Sequence, residues 1–300
     1  MTRYLRPASL ADAVAGLDVD GSVQLLAGGT DLVNEIRLRL LYPDVVVDTA
    51  DLAELHALDT EAAAGTVRIG AGVTMSALLT APWHGRLAAL TDAADLLGGR
   101  QIQAVATLGG NVCHASPAAE TATPLLVHDA VLRIVGPDGD RDLPVSGLWT
   151  GPRRTALARG ELLVEIRIPA AAAGWASAYR RLELRKSVDI ALVSASAALD
   201  VGPDGAIRAA RVAIGAAGPV PFLVPAAEAA LAGVAVRLDG SGPAAYFAAA
   251  VEAAADAAAA ASRPIDDVRS TAAYRRAMVR VVARRALVAA AVRSQSEERP

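Results

Sequence analysis

Short apolar runs separated by glycine and proline predict alternating helices and strands through the first 170 residues. Ser9 followed by Asp12 predicts a capped helix of about three turns that ends between Gly16 and Gly21. Further helices are predicted at 32–41, 74–79, 87–97 and 121–128. Strands are predicted at 23–27, 45–47, 67–72, 130–135 and 163–168. Residues 109–110 are interpreted as a glycine-rich loop.

The pattern changes after a link of small residues at 170–174. Two strand-like runs, at 190–199 and 207–214, flank a turn at 202–205, and the rest of the chain is mainly helical in pattern. We therefore expect an α+β fold. A larger α+β half should precede a smaller one made of a sheet plus helices.

Composition supports two domains and narrows the chemistry. The chain has 300 residues, of which 53% are hydrophobic, and a single core rarely grows beyond this size. The net charge of −3 gives no electrostatic reason to expect nucleic acid as a partner. Cys113 is the single cysteine, which excludes a disulfide framework and a Cys-ligated iron–sulfur cluster within this sequence. Redox chemistry would need an organic cofactor or a partner protein.

Neither a membrane span nor a metal site is predicted. The most apolar stretch, 244–261, carries Glu252 and Asp256 on one helical face, as in an exposed face of a packed helix. The beginning of the sequence has no signal-peptide pattern, so we expect a cytoplasmic protein. The histidines share no ligand-like spacing, and no catalytic acid, base or nucleophile is predicted; they stand at positions 56, 84, 114 and 128.

Two glycine pairs are the candidate binding chemistry. One lies in LLAGGTDL, residues 25–32, and the other in TLGGN, residues 107–111. Adjacent glycines permit positive φ and remove Cβ atoms, so backbone N–H groups can converge on a diphosphate. Two such segments could hold the two phosphates of one dinucleotide. The alternative is that the two pairs only form turns, and their spacing alone favours this alternative. A Rossmann fingerprint is weak, because Met75 stands where the third glycine after Gly70 and Gly72 would fall.

Six segments in order along the chain strengthen the binding interpretation, at 25–33, 67–79, 106–130, 151–169, 179–199 and 263–287. Together they resemble the FAD-binding, or medium, subunit of the molybdenum hydroxylase family, which includes the carbon monoxide dehydrogenase and xanthine dehydrogenase types. The resemblance implies a two-subdomain, PCMH-like FAD-binding domain at 1–172. A C-terminal flavoprotein domain at 175–292 and a tail at 293–300 would follow.

The resemblance also implies the residues that bind FAD. The first segment would wrap the diphosphate and adenosine through Leu25, Leu26, Ala27, Gly28, Gly29, Thr30, Asp31 and Leu32. The second would close on the diphosphate and line the flavin pocket through Thr107, Gly110, Asn111, Cys113 and His114. Three further positions would contact the flavin or ribitol, namely Glu120, Leu163 and Arg181.

Several positions depart from the family pattern or allow a structural interpretation. Glu120 and Arg181 stand where the family has Asp and Lys, and Gln103–Ala104 replace Arg-Asn. Cys113 is interpreted as a small buried thiol, and Ile190 as either a flavin neighbour or a core strand residue. A capped helix with surface ion pairs is preferred to a catalytic role for Asp267, Arg269, Tyr274 and Arg275.

The resemblance implies an electron outlet in a heteromeric enzyme. A molybdenum-cofactor large subunit would oxidise substrate, a small subunit with two [2Fe–2S] clusters would relay electrons, and FAD would pass them to NAD, a quinone or another acceptor. One alternative is a stand-alone FAD-dependent dehydrogenase or oxidase with Glu120, His114 or Tyr179 as a base. Another is a scaffold that has lost flavin, suggested by Gln103, Ala104 and Glu120.

Overall fold

A computed structural model describes residues 2–61, 65–83, 85–185, 188–239 and 242–295. It has the expected α+β architecture, with a larger N-terminal part that carries two main sheets and a smaller part that carries one main sheet under helices. His84 and the last five residues of the predicted tail lie outside the described residues. Within these ranges, no helix combines the length and apolar character that crossing a membrane requires.

The first subdomain is a three-stranded parallel sheet with the order β1-β3-β2. Its elements are β1 (Arg3–Leu5), α1 (Leu10–Leu17), β2 (Val23–Leu26), α2 (Leu32–Arg37) and β3 (Val45–Asp48). The valines of β3 are buried as a continuous run, as is usual for the central strand of a parallel sheet. The predicted cap of α1 is confirmed, because the Ser9 hydroxyl accepts a hydrogen bond from the backbone N–H of Asp12.

The second subdomain is built on a five-stranded antiparallel sheet. Its strands, and a separate hairpin, are β4 (Leu58–Asp59), β5 (Thr66–Gly70), β6 (Val131–Gly136), β7 (Gly139–Pro144), β8 (Trp149–Gly151), β9 (Arg154–Thr155) and β10 (Leu162–Pro169). The sheet order is β4-β5-β10-β6-β7, and β8 pairs with β9. The sequence did not predict β7, an edge strand whose charged, largely exposed residues give no apolar run.

Short helices cover this sheet and lead into the cavity described below. They are α3 (Met75–Thr80), α4 (Ala88–Leu96), α5 (Arg100–Gln103), α6 (Leu108–Cys113), α7 (Ala122–Val127) and α8 (Ala170–Ala173). The interpretation of residues 109–110 as a loop was wrong, because both glycines lie in the first turn of α6. Thr107 begins this helix, and its hydroxyl accepts the N–H of Gly110 at 3.1 Å.

The C-terminal part is an antiparallel sheet under helices, with the strand order β11-β12-β13-β14. Its elements are β11 (Ala176–Leu182), β12 (Val193–Val201), β13 (Ile207–Gly215), β14 (Phe222–Leu223), α9 (Pro225–Leu231), β15 (Leu238–Asp239), β16 (Gly242–Pro243), α10 (Ala245–Ala261) and α11 (Ala272–Gln295). Small buried alanines let α10 pack closely on α9 and α11, and let α11 pack on the sheet. Ile190 precedes β12 and is 57% exposed, so its alternative as a core strand residue was wrong.

The two parts share an interface in which α4 and α7 pack against β11, β12 and β13. His128 is fully buried there, within hydrogen-bond distance of the Ala172 carbonyl and the Ser177 hydroxyl. Burial lowers the pKa of His128 to about 4, so the imidazole stays neutral. Asp92 on α4 accepts hydrogen bonds from Arg180 and Arg293. The domain limits proposed from sequence stay a prediction.

The ion pairs predicted near the start of α11 form, but only partly at the surface. Asp267 accepts hydrogen bonds from Arg269 at 2.7 Å and from Arg275 at 2.6 Å. These donors hold the pKa of the Asp267 carboxyl well below its usual range. Arg275 is only 3% exposed and also reaches the Leu192 carbonyl, so the prediction of a surface position was wrong for this residue. The hydrogen bond from Arg275 to the carbonyl of Leu192, directly before β12, connects α11 to the sheet.

Candidate functional site

A cavity of about 670 Å³ opens where the first subdomain, the second subdomain and the segment 188–190 meet. This volume lies within the range of small-molecule and cofactor sites. All the predicted site residues line it except Leu26 and Arg181. The two glycine segments therefore contribute to one cavity, although about 80 residues separate them in the chain.

The first glycine segment is a tight turn between β2 and α2. Gly29 adopts a φ of +70°, which residues with a Cβ rarely accept. A Cβ on Gly28 would lie 1.9 Å from the carbonyl oxygen of Val105. The backbone at Gly28 is therefore in direct contact with the backbone that precedes the second segment. Asp31 begins α2 without a side-chain cap hydrogen bond. Among the described residues, no protein acceptor is recorded for the N–H groups of Gly29 and Thr30, which leaves them available to a ligand.

The second glycine segment is held by the turn that follows β5. The N–H groups of Leu108 and Gly109 donate to the carbonyls of Val73 and Ala71 at 2.9 and 2.8 Å. A Cβ on Gly109 would lie 2.7 Å from the Cβ of Ala71, so glycine is required for this close packing. Asn111 faces the cavity on the same helix, and its Oδ1 accepts the Thr121 hydroxyl at 2.6 Å.

Sequence reasoning missed several residues of the cavity wall. They lie outside the two glycine segments, and include Glu35, Ala71, Gly72, Leu97, Gly98, Ile102, Arg153, Glu161, Val188 and Asp189. Gly70-Ala71-Gly72 was noticed only as an incomplete dinucleotide fingerprint. Close packing explains the glycine at position 72, because a Cβ there would lie 2.9 Å from the His56 ring. Close packing of distant segments leaves no periodic pattern in sequence.

The segment 188–190 forms one edge of the cavity. The carboxylate of Asp189 accepts backbone N–H groups from Leu184, Arg185 and Ile190 at 2.8, 3.1 and 2.9 Å. Desolvation raises the pKa of Asp189, but these donors outweigh it and lower the pKa, so the carboxylate stays charged and holds the backbone at Leu184, Arg185 and Ile190. Val188 and Ile190 are 53% and 57% exposed and line the cavity, which gives its mouth an apolar edge.

Glu120 and Arg181 form a buried ion pair at the cavity wall. Nη1 of Arg181 donates to Oε1 of Glu120 at 2.8 Å, and Arg181 also pairs with Glu183. Burial raises the pKa of Glu120 to about 7, although the charge of Arg181 opposes this shift. Arg181 is 2% exposed at its side chain and lies behind Glu120, outside the cavity lining.

The remaining candidates divide between cavity and core. Burial raises the pKa of Cys113 to about 12, so the thiol is protonated and unreactive at neutral pH. Nε2 of His114 lies 3.9 Å from Oδ1 of Asp31, and both line the cavity. Tyr179 is fully buried among α4 residues and does not line the cavity, which conflicts with a role as base. Leu163 lines the cavity and is 4% exposed.

The substitutions at Gln103 and Ala104 lie outside the cavity lining. The side chain of Gln103 is buried, donates to the Asp95 carbonyl at 2.9 Å and accepts from Arg100 at 3.1 Å. Its contacts therefore stabilise the α4–α5 connection. The geometry at these two positions gives no reason to expect a scaffold that has lost flavin.

The glycine-lined cleft, its N–H groups and its apolar edge together suit a dinucleotide that carries a flat ring system. Residues 1–171 match the family model for the FAD binding domain in molybdopterin dehydrogenase. Residues 177–290 match the CO dehydrogenase flavoprotein C-terminal domain. The chain belongs to this family of FAD-binding subunits and is an FAD-dependent oxidoreductase subunit. The predictions of fold class, cofactor and enzyme class are confirmed.

Of two similar relatives, one matches nearly the whole chain and the other three quarters of it. The carbon monoxide dehydrogenase medium chain of Hydrogenophaga pseudoflava is 33% identical over 290 residues, 96% of either chain. The putative xanthine dehydrogenase FAD-binding subunit of Escherichia coli K12 is 37% identical over 227 residues, 75% of this chain and 77% of the relative.

Solved structures agree with the fold. A carbon monoxide dehydrogenase chain from H. pseudoflava, in an enzyme that lacks the Mo-pyranopterin moiety, superposes with a TM-score of 0.87 at 33% identity, covering 97% of this chain and 98% of that one. A chain of quinoline 2-oxidoreductase from Pseudomonas putida 86 gives a TM-score of 0.88 at 26% identity, with 99% of both chains covered.

Proposed function

We propose that the chain is the electron-transfer subunit of a molybdenum hydroxylase-type complex. A molybdenum-cofactor large subunit supplies electrons to the [2Fe–2S] clusters of a small subunit. This chain takes the electrons from those clusters and passes them to NAD, a quinone or another acceptor. The observation that carries this proposal is the single cavity formed by both glycine segments and open at an apolar edge. A relative matched over 96% of its length is named the medium chain of such an enzyme. A cytoplasmic location is part of the proposal.

The bound FAD supplies the redox chemistry, and the residues of this chain bind and orient it. Backbone N–H groups of Gly29 and Thr30 in the first segment hold the diphosphate, since glycine lets the ligand approach the backbone, and the side chains of the second segment close on it. We propose as FAD-binding residues Leu25, Leu26, Ala27, Gly28, Gly29, Thr30, Asp31, Leu32, Thr107, Gly110, Asn111, Cys113, His114, Glu120, Leu163 and Arg181. Leu26 and Arg181 act from behind the cavity wall.

The ligand chemistry of the chain supports placing the iron–sulfur clusters in a partner. Cys113 is its single cysteine, and its thiol is protonated by burial. In the part of the chain that the structure describes, no group of three or more His, Cys, Asp or Glu residues could hold a metal ion. Iron–sulfur clusters require several cysteine or histidine ligands, so an electron donor of this kind must belong to another subunit.

Reconstitution tests the proposal. The FAD-loaded chain is mixed with its small and large subunits, substrate is added without oxygen, and bleaching of the flavin absorption is followed. Flavin reduction is expected in the three-subunit mixture and not when the small subunit is omitted. Reduction that proceeds equally well without the small subunit would contradict the proposed electron path.

A second candidate is a stand-alone FAD-dependent oxidoreductase, because His114 and Glu120 both face the cavity and could act as bases. It predicts that the purified FAD-loaded chain oxidises a small organic substrate without iron or molybdenum. Turnover by the single chain, lost in both His114→Gln and Glu120→Gln variants, would favour this candidate over the electron-transfer role.

A further inference from the structure

Glu120 has a charge that its surroundings do not balance. Arg181 is the cation beside it, and Arg181 also pairs with Glu183. The side chains of all three are largely buried, with exposed fractions of 13% for Glu120, 2% for Arg181 and 19% for Glu183. Two carboxylates thus share one buried guanidinium. With every group ionised, this cluster has one excess negative charge.

Among the residues that the structure describes, the other groups around the cluster do not remove that charge. Asp31, from the first glycine segment, acts on Glu120 by repulsion, and His114 lies beside Asp31. On the side of the sheet, the hydroxyls of Tyr179 and Ser194 are buried and uncharged. An uncompensated buried charge is costly, and binding a proton relieves it.

Bound FAD adds to this negative charge. Its diphosphate is anionic, and the lining residues of the described chain include one arginine, Arg153, which already pairs with Glu35. Glu120 is the member of the cluster that lines the cavity, whereas Glu183 lies outside it. The added negative potential therefore acts on Glu120 first.

We propose that Glu120 takes up one proton from water when FAD binds, so that FAD affinity is coupled to protonation of the Glu120–Arg181–Glu183 cluster. An O–H bond forms at the Glu120 carboxylate as the bond to that proton breaks in a hydronium ion or buffer acid of the solvent, and no other covalent bond changes. The neutral acid no longer repels the ligand, and it gains a hydrogen-bond donor at the cavity wall. The raised pKa of Glu120, about 7, places this protonation within the physiological range.

The wild-type chain gives the first test. Flavin is removed from the full chain, and the FAD dissociation constant is measured by fluorescence quenching from about pH 6 to about pH 8.5. Because binding favours the protonated acid, the constant is expected to rise about thirtyfold over this range. Calorimetry in two buffers of different ionisation enthalpy should count close to one proton taken up above pH 7. A constant that is flat or falls with pH, with no proton taken up, would overturn the proposal.

Variants separate the cluster from other titratable groups. Glu120→Gln is expected to change the dissociation constant less than about twofold over the same range. Glu183 lies outside the cavity lining, so its replacement does not change the cavity wall. In Glu183→Gln the Arg181 guanidinium pairs with Glu120 alone. This variant should therefore keep Glu120 ionised and also suppress proton uptake. If Glu120→Gln fails to fold, Glu183→Gln and the proton count of the wild type still decide the question.

Two cavity-lining residues provide matched controls. Arg141 lowers the pKa of Glu161, which therefore stays charged, so Glu161→Gln should retain the wild-type pH slope. Histidine also changes charge near neutral pH, so the slope must persist in His114→Gln. Loss of the slope in His114→Gln, with retention in Glu120→Gln, would assign the proton to His114 and refute the proposal. If FAD bound neither the wild type nor any of the variants, that result would instead contradict the cofactor site itself.

Discussion

The two glycine pairs of the cavity have the same residues but different structural reasons for them. Gly28-Gly29 forms a turn, with positive φ at Gly29 and direct backbone contact at Gly28. Gly109-Gly110 lies in the first turn of a helix capped by Thr107, and Gly109 allows close packing on Ala71. A Gly-Gly pair in sequence therefore identifies a close approach of backbone, while the kind of approach depends on neighbours that sequence does not show.

Gly28→Ala should have the largest effect among variants of the two pairs. Its Cβ would meet the Val105 carbonyl at 1.9 Å, a backbone atom that cannot rotate away. We expect a loss of about 3 kcal/mol or more in the free energy of unfolding, and loss of bound flavin. Chemical denaturation and flavin content measure both. Gly174→Ala, where the nearest atoms are 3.6 Å away, is the control and should change little.

Gly109→Ala should destabilise the second segment somewhat less. The new Cβ would lie 2.7 Å from the Cβ of Ala71, and that turn can shift by part of the overlap. We expect about 2 kcal/mol lower stability in denaturant titrations, together with weaker FAD binding. Stability equal to the wild type would show that the packing of α6 on Ala71 is looser than the structure indicates.

Gly29 tests backbone conformation rather than space. Its φ of +70° should make Gly29→Ala cost about 1 kcal/mol in thermal or chemical unfolding, since the nearest atoms are flexible side chains of Leu26 and Val33. Gly29→Asn should cost less, because Asn tolerates the left-handed region. Equal losses for Ala and Asn would mean that space, and not φ, decides at this position.

Capping should give the smallest difference between the segments. Thr107→Val removes the oxygen that accepts the Gly110 N–H and should lower the free energy of unfolding by about 1 kcal/mol. Thr107→Ser retains the acceptor and should be close to the wild type. Asp31 makes no cap hydrogen bond, so Asp31→Ala should leave stability nearly unchanged. A similar loss for Asp31→Ala would contradict this contrast.

The outcome of sequence reasoning depended on whether a feature is local. The Ser9 cap, the buried valines of β3 and the strand of Leu163 follow from short-range patterns, and the structure contains them. Strand β7 did not follow, because a polar edge strand has no apolar alternation. Arg275 was expected at the surface because its charge suggests exposure, yet tertiary packing buries it beside Asp267.

The cavity was predictable in its glycine segments and not in its remaining wall. Leu25 to Leu32 and Thr107 to His114 stand in recognisable motifs. The contribution of Gly72, in contrast, depends on how a turn after β5 meets His56, which only the folded chain determines. Arg181 matched its family position but lies behind Glu120, because its guanidinium pairs with two carboxylates inside the protein.

The cavity wall comes from stretches of chain as distant as Leu25 and Ile190, so no local segment can hold the cofactor alone. A ligand that binds only this assembled wall acts as a reversible cross-link between both parts of the molecule. By mass action, FAD at about a hundred times its dissociation constant adds about 2.7 kcal/mol to the stability of the whole fold. Supply of the cofactor therefore sets how long the folded subunit persists, as well as whether it can react.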